Sequence, residues 1–80
     1  MEINEKIFIK NFGKKLREIR IGKNISQEIL ANDANIPINQ IGRIERAEIS
    51  TSLTSIYKIA QALEIPIKDL FDFEIKNPSK

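Results

Sequence analysis

The chain contains neither cysteine nor histidine. No disulfide can brace it, and no thiolate or imidazole can hold a zinc ion. The absence of histidine also removes imidazole acid–base catalysis and the Ser-His and Cys-His nucleophilic pairs. Carboxylates remain, but nothing in their spacing suggests chemistry, so the inventory predicts a non-enzyme with no cofactor and no metal. No stretch is long and apolar enough to span a bilayer. The opening MEINEKIFIK lacks the apolar core and small-residue cleavage site of a signal peptide. A cytoplasmic protein without membrane association is the expectation. Low-complexity segments and internal repeats are also missing, and only the closing NPSK reads as a loose tail.

Within these limits, 80 residues suit one domain, 1–80, with a small core and marginal stability. A second copy would stabilise it by covering apolar surface. Thirteen basic and 11 acidic side chains leave a net charge of +2, too little to identify a nucleic-acid binder. Distribution is more informative. Lys10, Lys14, Lys15, Arg17, Arg20 and Lys23 crowd the first third, with Arg43 and Arg46 further on, whereas Glu64, Asp69, Asp72 and Glu74 make the end acidic. A run of charges is in the first instance a solvated helix face, and for the lysines that is the preferred assignment.

Hydrophobic spacing predicts five helical segments and an all-α, compact five-helix bundle. Phe8, Phe12, Leu16 and Ile19 line one face of a first helix, from about Asn4 to Gly22, with C-cap chemistry in Gly22-Lys23-Asn24. Ser26 is a good N-cap for a second, short helix with Leu30, Ala31 and Ala34 inward, ending at Asn35, a residue that tolerates the left-handed conformation. Pro37 suits the start of a third helix, whose Ile38, Ile41 and Ile44 recur at threes. Hydroxyls in Ser50-Thr51-Ser52 can cap a fourth, with Leu53, Ile56, Ile59, Ala60 and Leu63 apolar; Pro66 stops it. A fifth spans about 66–71. Beyond it, Phe71-Asp72-Phe73-Glu74-Ile75 alternates, a pattern that favours a strand.

Two helices joined by a short turn are the core of a helix-turn-helix, and the segment of about 26–46 fits that plan. Leu16-Arg17 and Arg20, Ser26-Gln27, Leu30-Ala31, Ile36, Ile41, Ile44-Glu45, Leu53, Ile59-Ala60, Ala62-Leu63 and Leu70-Phe71 stand in a characteristic order. Together they resemble the lambda-repressor-like, Cro/cI-type (XRE) helix-turn-helix family over roughly residues 12–71. No single piece is specific; the combination is.

The resemblance implies a sequence-specific transcriptional regulator of double-stranded DNA, with the third helix in the major groove and the second across the backbone. Asn39, Gln40 and Arg43 become base readers, with Ile38 at the helix start. Asparagine and glutamine can pair bidentately with adenine, arginine with guanine, and an aliphatic group can touch the thymine methyl. Gln27, Arg17 and Arg46 become phosphate contacts. Arg20 and Glu45 match a family ion pair between the first and third helices. Two departures stand out. Ala47 occupies a position where glycine usually ends the recognition helix, and Gly42 replaces a small hydroxyl residue.

Ile67, Leu70, Phe71, Phe73 and Ile75 crowd the end of the chain, more apolar surface than so small a bundle can cover. The segment of about 66–76 is therefore the expected two-fold homodimer interface on a palindromic operator. Phe73 to Ile75 are candidates for a strand across the axis or an irregular tail on the partner. A protein-interaction module, such as an antitoxin or coactivator with a protein partner, is the rival class.

Overall fold

The computed structural model describes residues 4–74. Four α-helices and a 3-10 turn follow one another: α1 (Glu5–Gly22), α2 (Gln27–Ala34), α3 (Ile38–Glu45), α4 (Leu53–Leu63) and the 3-10 turn Ile67–Phe71. The fifth helical segment is thus a short 3-10 turn of five residues, and Pro66 sets its start.

Local chemistry explains most of the boundaries. Asn4 Oδ1 accepts from the Lys6 and Ile7 amides at 3.0 and 3.2 Å and opens α1. Ser26 Oγ accepts from Ile29 N at 3.0 Å, and Ser52 Oγ from Ser55 N at 3.1 Å, opening α2 and α4. Each joint between elements turns through one left-handed residue, and none of the four is glycine: Asn24, Asn35, Ala47 and Glu64, with φ between 57° and 61°. At the end of α1 the left-handed residue is Asn24, whereas Gly22 is still helical. After α4, Glu64 reverses the chain two residues before Pro66, so the helix has ended before the proline can act.

Leu16, Leu30, Ile41, Ile44, Ile59, Leu63 and Leu70 are fully buried and form the centre of the core. α2 packs on α3 and α4, α1 on α3, and the 3-10 turn closes the bundle against α1 and α4. Two sequence expectations give way here. Leu53, assigned to the apolar face of α4, is 83% exposed because it is the first helical residue and projects beyond the core. Residues 71–74 form no strand; Phe73 instead packs beside Phe8, with ring centroids 5.7 Å apart.

One close approach governs the α1–α3 seam. A Cβ on Gly13 would fall 2.8 Å from the Glu45 carbonyl oxygen and closer still to that of Ile44. Only glycine lets the α1 backbone lie directly against the end of α3.

Candidate nucleic-acid interface

α3 is a two-faced helix. Ile41 and Ile44 point into the core, and Gly42 and Glu45 are buried beside them. The opposite face carries Ile38, Asn39 and Arg43, all exposed, with Gln40 half-buried at its edge. The helix period that buries 41 and 44 therefore leaves 39 and 43 in water. The structure places the four residues suggested as base readers along this one short helix.

The helix is held by a buried polar joint at its end. Arg20 Nε donates to Glu45 Oε2 at 2.6 Å and Nη2 to Oε1 at 3.1 Å, a two-pronged pair between α1 and α3. Arg20 Nη1 donates to the Ile25 carbonyl at 2.9 Å, which ties in the α1–α2 loop. Gln27 Nε2, from the first residue of α2, donates to Glu45 Oε1 at 2.9 Å. Both charged residues are at most 9% exposed. Paired and fully bonded charges are the form in which burial is tolerated. Glu45 thereby anchors three segments, and Gly13 makes the approach possible. Gln27 is half-buried, and its amide is already engaged in positioning α3.

On the outer side the arginines meet a residue that spacing did not single out. Arg46 Nε donates to Glu48 Oε2 at 2.7 Å, and Arg43 Nε lies 3.7 Å from Glu48 Oε1. The hydrogen bond from Arg46 holds the Glu48 carboxyl below its usual range, and the same contact raises the Arg46 guanidinium. Gly42 gives Arg46 its place: a Cβ there would lie 2.9 Å from Arg46 Nη1 and 3.5 Å from Gln27 Oε1. Arg17 is exposed on α1.

The terminal apolar cluster is mostly spoken for within the chain. Leu70 is 0% exposed and belongs to the core, so it is not available at a surface. Phe71 stacks on Phe8 and tilts against Phe12 at 5.1 Å, and Phe73 also rests on Phe8, leaving both half-buried. These rings are covered by α1 because helix one carries its own aromatic stripe toward them. Ile67 remains exposed, and Ile75 lies outside the described residues. What stands open instead is the outer side of α4, where Leu53 and Tyr57 are exposed one helical turn apart. Tyr57 and Ile67 share a shallow depression with Ala60, Gln61 and Ile65. The repeat of Leu53 and Tyr57 at four residues was visible in the sequence.

Among the described residues, no group of acidic side chains has the arrangement of a metal site, and no helix is long and apolar enough to cross a membrane.

Comparison with known proteins agrees with this geometry. The Helix-turn-helix family profile matches residues 16–70. The control protein C.BamHI of Bacillus amyloliquefaciens is 46% identical over 63 residues, 78% of each chain. An uncharacterised transcriptional regulator in the ATPase CF(0) region of Rhodospirillum rubrum is 34% identical, covering 82% of this chain and 62% of its own length. Among solved structures, the restriction-modification controller C.AhdI from Aeromonas hydrophila superposes with a TM-score of 0.78 at 40% identity, covering 79% of this chain and 96% of that one. With a profile running from the second half of α1 to the 3-10 turn, relatives of this identity and a two-faced α3 held by a buried joint, the chain belongs to the helix-turn-helix family of DNA-binding transcriptional regulators.

Proposed function

We propose that the protein is a sequence-specific regulator of the restriction–modification controller kind, acting in the cytoplasm as a homodimer on a palindromic operator. The observation that carries this reading is the outer face of α3: Ile38, Asn39 and Arg43 are free to meet a groove while Ile41, Ile44 and Glu45 fix the helix from behind. In this reading Asn39, Gln40, Arg43 and Ile38 touch base edges, and Gln27, Arg17 and Arg46 touch phosphates. Control protein C.BamHI and the controller C.AhdI, both similar across most of this chain, support the controller assignment.

The second copy docks on the outer side of α4. Leu53, Tyr57 and Ile67 are the exposed large apolar residues on that side, and α4 also packs directly on the helix-turn-helix through α2. A palindromic operator requires the two copies of α3 to stand about 34 Å apart, one turn of DNA.

The test is a binding titration with DNA from upstream of the protein's own gene against scrambled DNA of equal length. Arg43→Ala should weaken operator binding by about 1–3 kcal/mol and scrambled-DNA binding by much less. Equal losses on both would remove Arg43 from the base readers. Tyr57→Asp should return the dimer to monomer in light scattering; a dimer indifferent to that change would overturn the α4 interface.

A further inference from the structure

The left-handed turn at Ala47 folds the chain back onto the helix it has just left. Glu48 N donates to the Arg43 carbonyl at 2.8 Å, which fixes the Glu48 backbone beside α3. Its side chain then lies between two guanidiniums: Arg46 bonds it through Nε at 2.7 Å and Nη2 at 3.4 Å, and Arg43 Nε stands 3.7 Å away. All three side chains are about half exposed, at 52%, 58% and 47% for Arg43, Arg46 and Glu48. A carboxylate held between two arginines, on the proposed DNA-facing side, makes the kind of charge-assisted contact that a phosphate would make with them.

We propose that Glu48 is an internal competitor for the DNA backbone, a residue that sets specificity by lowering affinity for DNA of arbitrary sequence. The inference rests on the proposed placement of α3 in the groove. In the free protein one carboxylate partly neutralises both arginines. A phosphate must displace it, and the displaced carboxylate then sits close to a polyanion. On arbitrary DNA the arginines gain only phosphate contacts, so the competition is felt in full. On the operator Arg43 gains a two-pronged contact to a base edge in exchange for the single 3.7 Å approach that Glu48 offers it. The difference between the two kinds of DNA therefore widens because Glu48 is there. Exposed ion pairs are weak enough to be exchanged in this way, which a buried pair is not.

The experiment compares wild type with Glu48→Gln on operator and scrambled duplexes at several salt concentrations. Glutamine keeps the size and the acceptor oxygen and removes the charge. Scrambled-DNA affinity should rise about two- to tenfold, and operator affinity by less, so the ratio between them falls. The salt dependence on scrambled DNA should steepen by roughly one unit of slope for each arginine released. Glu48→Lys should exaggerate both changes. Unchanged or weakened binding to scrambled DNA would overturn the proposal and assign Glu48 to holding the arginines in their bound pose. Failure of the wild type to bind any duplex would overturn both this inference and the reading it rests on, whereas normal wild-type binding with an inert Glu48→Gln would overturn this one alone. Circular dichroism of each variant separates a folding defect from a binding effect.

Discussion

Glu45 and Glu48 stand three residues apart, each gripped by arginine, yet the two ion pairs have opposite characters. The Arg20–Glu45 pair is sealed between α1 and α3 and completed by Gln27 and the Ile25 carbonyl. The Arg46–Glu48 pair stands in water and has a second guanidinium as neighbour. Burial makes the first pair a fixture, since no outside partner can reach it and either charge alone would be stranded. Solvent makes the second exchangeable. One end of one short helix thus combines a permanent bond that aims the helix with a temporary one that a ligand can replace.

The comparison is broken most severely by Glu45→Ala. Arg20 would keep only the Ile25 carbonyl and become an uncompensated buried charge, at a loss of about 3–5 kcal/mol. That is a large part of the roughly 5–15 kcal/mol that holds an ordinary domain together. Urea denaturation should show the collapse, and the double replacement Arg20→Met with Glu45→Met should recover much of it, because matched apolar groups leave no charge behind. A Glu45→Ala protein as stable as wild type would mean that the joint is not what fixes α3.

Next in size comes Gly13→Ala. Glycine within a helix is worth about 1 kcal/mol less than alanine, so propensity alone predicts stabilisation. The added Cβ would instead drive into the Ile44 and Glu45 carbonyls, which are backbone atoms that cannot rotate away. Overpacking of this sort costs about 1–3 kcal/mol and should outweigh the gain. A lower denaturation midpoint is the expected result, and a higher one would show that the seam yields easily.

Ala47→Gly sharpens the contrast in the other direction. Alanine at φ 61° carries a steric cost that glycine avoids, offset in part by glycine's greater freedom in the unfolded chain. Up to about 1 kcal/mol of added stability should follow, measurable in the same denaturation series. The smallest effect belongs to Glu48→Gln, which should leave the denaturation midpoint where it is. If that exposed carboxylate proved as important to stability as Glu45, the distinction between fixed and exchangeable pairs would fall.

Periodicity was sufficient to locate the helices because their caps and apolar spacing are local. Asn4, Ser26, Asn35 and Ser52 act on their own neighbours, and Phe12, Leu16, Ile41, Ile44 and Ile59 repeat at helical intervals. Local pattern failed wherever distant segments decide. Leu70 and the half-buried Phe71 and Phe73 looked like an uncovered patch, because nothing near them in sequence reveals that α1 presents Phe8 and Phe12 to receive them. Gly13 was silent for the same reason: its meaning lies in two carbonyls more than thirty residues away. Glu48 was missed although its partners are close in sequence, since spacing of 43, 46 and 48 matches no helix face. Only the reversal at Ala47 brings the three together.

The aromatic contact between α1 and the end of the described chain also bears on how the molecule assembles. Phe8 and Phe12 meet Phe71 and Phe73 across nearly the full length of the described sequence. Local helices can form and dissolve quickly, but a contact of this separation must wait for the intervening chain to be brought into a closed loop. The helix-turn-helix at the middle is built from neighbouring segments and closes shorter loops than the aromatic clasp of α1. The Arg20–Glu45 joint, 25 residues apart in sequence, closes a much shorter loop than the clasp, so loop closure weighs most on the aromatic contact and less on the joint that aims the recognition helix.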